Sequence, residues 1–186
     1  MPHASMEASP WVHRWSHLVA PGARVLDVAC GSGRHLRWFA RRGCVVTGVD
    51  RDAAALVAAR DSDAALNGAE LIEADIENGP WPLAQRRFDA VVVTNYLWRT
   101  LLPRIVDSVD AGGVLIYETF ALGNARFGKP ATPDFLLRPG ELLAATQGLR
   151  VVAFEDGFVA APDRCVQRIV AVREQTPTSD PALYRL

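Results

Sequence analysis

The 186-residue chain has too few cysteines, too little net charge and no apolar run long enough for several whole classes of function. Its three cysteines, Cys30, Cys44 and Cys165, follow no CxxC or zinc-type spacing. An odd, scattered set cannot build a fully paired disulfide framework, so a reducing cytoplasmic setting is expected, and no metal. Lys+Arg 20 against Asp+Glu 21 leaves a net charge of -1, which removes any bulk attraction to nucleic acid or an anionic membrane. No segment has the basic start and apolar core of a leader, or the roughly 20 apolar residues of a membrane span. Repeats, low-complexity tracts and the Gly-x-x-x-x-Gly-Lys-Ser/Thr phosphate loop are missing as well. A chain of this length fits one domain, and its expected partner is a small molecule.

What is present is a rhythm. Runs rich in Val, Ile and Leu recur at 24–28, 44–49, 70–74, 88–94 and 113–119, with helical stretches expected at 34–42, 52–66, 98–110 and 140–146. Near-continuous apolar strands spaced by helices imply a parallel sheet covered on both faces. Gly43, Gly68 and Gly112 sit where those helices should stop. The rhythm then breaks: 149–159 and 164–172 are extended runs joined only by Ala160-Ala161-Pro162-Asp163, too short for a crossover helix. They should pair as an antiparallel hairpin. The expected architecture is α/β, a Rossmann-like doubly wound, mostly parallel seven-stranded sheet ending in that hairpin. Residues 1–20 read as an N-terminal arm and lid helix carrying Trp11 and Trp15, 21–174 as the domain, and 175–186, with Pro177 and Pro181, as a surface extension.

The richest stretch is Val25-Leu26-Asp27-Val28-Ala29-Cys30-Gly31-Ser32-Gly33-Arg34-His35, an apolar strand running through a carboxylate into a glycine turn. The next strand ends on Asp50, where a carboxylate can accept hydrogen bonds from a ribose. A dinucleotide fingerprint needs a third glycine, and Leu36 stands in its place. That argues against a nicotinamide-dependent reductase, which stays an alternative beside a non-catalytic adenosyl-binding regulator.

The whole arrangement resembles the class I S-adenosylmethionine-dependent methyltransferases, over roughly Val25 to Val172. The resemblance implies S-adenosylmethionine as cofactor and S-adenosylhomocysteine as product. It implies that Asp27 meets the ammonium, with Ala29, Gly31 and Gly33 in the first turn. Asp50 and Arg51 would lie at the ribose, Asp75 and Ile76 at the adenine, and Asn95 after the fourth strand on the methionine side. The run Phe135-Leu136-Leu137-Arg138-Pro139-Gly140-Glu141-Leu142 is similar to small bacterial members grouped with the tellurite-resistance type.

Ligands of open parallel sheets collect at the carboxyl ends of the strands. The segment 94–99 and the long connection 118–130 are therefore the expected acceptor site, with Tyr96, Trp98, Asn124, Arg126 and Phe127 as candidate contacts. Methyl transfer is an in-line displacement, for which alignment can supply much of the roughly 7 to 11 kcal/mol available from proximity. If a proton must leave, Tyr96 and Glu118 are the candidate catalytic groups. Strand alternation puts Tyr117 on the opposite face from Glu118.

Overall fold

The computed structural model describes residues 7–175 and 182–186; Pro177 and Pro181 of the expected tail lie outside them. Seven strands, β1 (Arg24–Val28), β2 (Val45–Asp50), β3 (Glu70–Glu73), β4 (Phe88–Thr94), β5 (Val109–Phe120), β6 (Arg150–Val159) and β7 (Arg164–Val172), form one sheet in the order β3-β2-β1-β4-β5-β7-β6. The first five are parallel, and β7 pairs antiparallel with both β5 and β6. The order reverses between β1 and β4, which opens a crevice at their carboxyl ends.

The side-chain period of two sorts the sheet into two cores. Leu26, Val28, Val91, Val93, Leu115, Tyr117, Ile169 and Ala171 face one layer, with Ile105 of α4 (Leu102–Asp107) and Leu142 of α5 (Glu141–Ala145). Val25, Ala90, Val92, Val114, Ile116, Val170 and Val172 face the other, under α1 (Pro10–Trp15), α2 (Arg34–Arg41) and α3 (Ala53–Ser62). Every strand of the central group thus spends both faces on core, as its continuous apolar sequence requires.

Two expectations change. The expected lid helix is a packed layer: Trp11 and Trp15 are 2% and 0% exposed, meet edge to face at 5.6 Å, and belong to the second core. Ser9 caps that helix by accepting from the Val12 N–H, and Pro10 opens it. The helix expected over 98–110 is a short 3-10 turn (Arg99–Leu101) and α4, which stops at Ser108 because the Ser108 hydroxyl and N–H both turn back on Arg104 O. Gly112 therefore ends no helix. It lies within β5 at φ 81°, where the register against β4 slips between Phe88 and Ala90. A Cβ at Gly113 would stand 2.9 Å from Phe88 O, so this glycine pair admits the bulge.

Candidate active site at the carboxyl ends of the strands

Between β1 and α2 the chain passes Ala29 at φ 54°, Gly31 at 51° and Gly33 at 74°. The left-handed conformation is costly at Ala29. Asn95, just beyond β4, has the same φ of 54°, so both strands flanking the crevice end on a strained residue. The turn is braced from below: Arg37 donates to Ser32 O at 2.6 Å and to Ser62 Oγ at 2.8 Å, tying it to the end of α3. Its upper side is open, since a Cβ at Gly31 would meet nothing within 4 Å.

The missing third glycine has a structural counterpart on the neighbouring strand. Leu36 packs onto Gly48 of β2, where a Cβ would lie 2.6 Å from Leu36 Cδ1 and 2.8 Å from Cys30 Sγ. Close approach of helix to strand is achieved by removing the side chain from the strand instead of the helix.

Asp27 is 1% exposed, and its Oδ2 has no hydrogen-bond partner among the described residues. Burial pushes its carboxyl up to about 8, with Asp50 adding to the rise and Arg34 opposing it. The nearest basic group, His35 Nδ1, is 3.8 Å away. It does not compensate, because burial, and then Arg34 and Arg37, hold His35 down at about 3. His35 Nε2 accepts the Ser9 N–H at 3.2 Å, which assigns the ring proton to Nδ1, facing Asp27 and Thr94. An unpaired buried carboxyl is expensive unless a cation completes it.

Asp50 accepts from the Gly31 N–H at 2.7 Å and the Asp52 N–H at 2.9 Å, so the ribose candidate also clamps the glycine turn. Beside it lies a cavity of about 160 Å³ lined by Ala29, Asp50, Arg51, Ala74, Asp75, Ile76, Glu77 and Tyr96. Five of the nine residues expected to hold cofactor therefore meet around one space: Ala29, Asp50, Arg51, Asp75 and Ile76. Asp75 is oriented by accepting from the Glu77 and Asn78 N–H groups and from Asn78 Nδ2, which hold its carboxyl below the usual carboxylate range. Arg51 Nη1 reaches Glu77 Oε2 at 3.6 Å across the rim. Asn95 is exposed.

The acceptor candidates divide differently. Tyr96 lines the cavity of Asp50 and Asp75, where burial and the Glu77 carboxylate push its phenol well above the ordinary tyrosine value. A phenol so held is a poor base. Glu118 is 1% exposed and stands 3.0 Å from Arg168 Nε in a buried ion pair, on the opposite face from Tyr117, as strand alternation requires. The two catalytic candidates thus occupy separate places, and neither is a free base. Asn124 braces its loop: 2% exposed, it donates to Pro130 O at 3.0 Å and accepts the Cys165 N–H at 3.2 Å. Arg126 is exposed. Phe127 stacks on Phe158 of the hairpin at 5.1 Å, and Trp98 is half-buried against the first core. The run 135–142 is likewise structural, with Leu136 and Leu137 buried and Glu141 gripped by Arg99 at 2.6 Å.

Three participants escaped the sequence reading. Glu77 enters the cavity two residues beyond Asp75. Arg168 is the partner of Glu118 through the β5–β7 register. Arg34, the first residue of α2, turns toward Thr94, with its Nη2 3.5 Å from Oγ1. Among the described residues no cluster of groups suits a metal, and no helix is long and apolar enough to cross a membrane.

Residues 25–113 match the family described as "Methyltransferase domain". The matched segment and the sheet order are similar to those of the class I, S-adenosylmethionine-dependent methyltransferase fold. Among solved structures it is similar to TehB from Haemophilus influenzae, with a TM-score of 0.73 at 18% identity over 90% of this chain and 63% of that one. An S-adenosylmethionine-dependent methyltransferase from Mesorhizobium loti gives a TM-score of 0.71 at 18% identity, covering 91% of this chain and 100% of that one. By sequence it is 38% identical over 148 residues to malonyl-[acyl-carrier protein] O-methyltransferase of Enterobacter lignolyticus, which covers 69% of this chain and 54% of the relative. The chain spans about half the length of the curated relatives it matches.

Proposed function

We propose that the protein transfers the methyl group of S-adenosylmethionine to a small-molecule acceptor by in-line displacement. The observation that carries this reading is the orphaned carboxyl of Asp27 beneath an open glycine turn. A cationic ammonium is the group that would complete it, and a phosphate-bearing dinucleotide is not. The bound cofactor would supply the chemistry, a methyl group on a positively charged sulfur.

The chain's own residues bind and orient. Asp27 would take the ammonium, with Ala29, Gly31 and Gly33 presenting backbone. Asp50 and Arg51 would hold the ribose end, and Asp75 and Ile76 the adenine, while Asn95 would border the methionine end. The acidic lining favours a cationic cofactor. Because displacement at a sulfonium needs alignment more than proton transfer, buried Glu118 would serve by fixing Arg168, and Tyr96 by walling the adenosyl cavity. The relative's name specifies O-methylation of malonyl-[acyl-carrier protein], which supports a small acceptor group here. The net charge of -1 supports the same reading by offering no nucleic-acid track.

Calorimetry with S-adenosylmethionine, S-adenosylhomocysteine and NAD tests the cofactor. Both sulfur nucleosides should bind. Binding of NAD with no binding of either would overturn the proposal.

A further inference from the structure

His35 stands where α2, β1, β4 and the start of α1 meet. It is the second residue of α2, and its ring is buried between Asp27 of β1, Thr94 of β4 and Ser9, the residue that caps α1. With Nε2 taken by the Ser9 N–H at 3.2 Å, the single ring proton sits on Nδ1. Nδ1 lies 3.5 Å from Thr94 Oγ1 and 3.8 Å from Asp27 Oδ2. The first distance is the outer limit of a hydrogen bond and the second exceeds it, so this buried donor is weakly held. Asp27 Oδ2 is a buried acceptor with no hydrogen-bond partner among the described residues. A donor short of an acceptor and an acceptor short of a donor face each other at 3.8 Å.

The two close on each other when Asp27 ionises. A neutral carboxyl accepts weakly, whereas a carboxylate draws an N–H into a short charge-assisted hydrogen bond, and such bonds tighten as the ligand arrives. An ammonium engages one carboxylate oxygen, and the other keeps buried negative charge that needs a donor of its own. The charge of that donor matters. Arg34 already acts on Asp27 electrostatically, but a guanidinium bonded there would oppose an incoming cation. An imidazole with one proton gives the hydrogen bond and adds no charge, and burial with Arg34 and Arg37 keeps His35 in that neutral form. A ring protonated on Nε2 would instead turn its bare nitrogen toward the carboxylate. The Ser9 N–H excludes that tautomer by occupying Nε2.

We propose that His35 is a positioning residue for cofactor binding, donating from Nδ1 to the ionised Asp27, and that the Ser9 main chain sets its tautomer for that role. The inference rests on the reading of Asp27 as the partner of the cofactor's ammonium and adds the group that holds it. Ser9 is suited to the task because it is itself fixed. It is buried, its Oγ accepts the Val12 N–H at 3.1 Å and its carbonyl accepts the His13 N–H at 2.8 Å. The start of α1 thereby orients the cofactor site through one ring, in addition to covering the core.

Two pairs of variants separate this role from packing. H35N leaves an amide donor near the place of Nδ1, whereas H35Q leaves an amide oxygen near the place of Nε2, where it can accept from Ser9. By calorimetry, H35Q should bind S-adenosylhomocysteine at least about tenfold more weakly than the unaltered protein, and H35N within about threefold of it. Ser9 has φ −59°, which proline adopts, so S9P deletes the N–H without forcing the backbone. S9A loses the same hydroxyl cap and keeps the N–H. Nitrogen–proton NMR correlations of the His35 ring, assigned by their absence from H35N, should place the proton on Nδ1 in the unaltered protein and in S9A. In S9P the proton should move toward Nε2, and S-adenosylhomocysteine should bind about three- to tenfold more weakly than to S9A. Equal affinities in H35Q and H35N, a proton on Nε2 in the unaltered protein, or S9P indistinguishable from S9A overturns the inference. Failure of S-adenosylhomocysteine to bind the unaltered protein would strike the cofactor reading, and the inference with it. Circular dichroism of each variant verifies that it is folded.

Discussion

Replacing Asp27 by Asn should make the protein more stable at neutral pH while removing its grip on cofactor. The carboxyl, fully buried, keeps its proton up to about pH 8, whereas in an unfolded chain it loses it near the ordinary 3.8. Folding therefore takes up a proton between those values. The stabilising contribution is complete below about pH 4 and is lost as pH rises toward 8. Within the window the slope approaches 1.4 kcal/mol per pH unit for one proton. Asparagine has the shape of the protonated acid and does not titrate, so the stability of D27N relative to the unaltered protein should climb by about 3 kcal/mol between pH 5 and pH 7.

His35 titrates in the opposite sense, because its value falls to about 3, so stability from that ring is lost as pH drops below its ordinary 6.5. Its shift comes from burial, Arg34 and Arg37 and not from Asp27, so it cancels when the two proteins are compared at the same pH. Urea denaturation of both, from pH 5 to pH 8, reads the difference directly. A difference that does not change with pH would mean that Asp27 is ionised throughout, and the argument from its orphaned oxygen would fall. The same reasoning requires S-adenosylmethionine to expel close to one proton on binding at pH 7. That release is measurable as a dependence of the calorimetric heat on the ionisation enthalpy of the buffer.

Asp50→Ala should weaken S-adenosylhomocysteine binding by about 1.5 to 3 kcal/mol, the range for a hydrogen bond to a charged group, and unchanged affinity by calorimetry would remove Asp50 from the site. Gly48→Ala should cost about 1 to 3 kcal/mol by overpacking against Leu36 and Cys30, and L36A should restore part of it in the double variant. Additive losses in thermal denaturation would refute that contact. Asn124→Ala should cost about 1 to 3 kcal/mol by leaving the Cys165 N–H unpaired, with the cofactor dissociation constant unmoved. A change in cofactor affinity without a change in stability would return Asn124 to the ligand site.

Legibility in the sequence followed the range of the forces involved. The strands β1, β4 and β7 could be placed to the residue, because each is a continuous apolar run bounded by charge or turn residues. The helix after β4 was overdrawn because 98–110 is apolar at helical spacing, while its end is set by Ser108 turning back and by the pairing of Val109 with Phe88. Neither can be seen without the sheet. Asp27, Asp50 and Asp75 were legible because each closes or interrupts a strand. Gly48 was not, although it does the work of the absent third glycine, because its reason is Leu36 on a different element. The structural partners of Asn124 and Glu118 were not legible for one reason: Pro130, Cys165 and Arg168 meet them through the loop fold and the β5–β7 register, which the sequence alone does not display.

The strand order explains why the crevice has two electrostatic halves. On the β3-β2-β1 side the chain gathers Glu77, Asp75, Asp50 and Asp27, offset by Arg51 at the rim and by Arg34 beside Asp27. On the β4-β5-β7 side Arg34 and Arg168 face the buried carboxylate of Glu118, and Glu155 joins Arg168 from β6. The two halves meet at the switch between β1 and β4, where Ala29 and Asn95 both take a strained φ. A cationic adenosyl cofactor lying on the acidic half would present its sulfonium to that seam. An acceptor entering over the β4-β5-β7 half would approach from the other side, leaving little freedom in the angle of attack. In-line displacement demands that restriction, and a parallel sheet that reverses its order between two adjacent strands is a geometry suited to supply it.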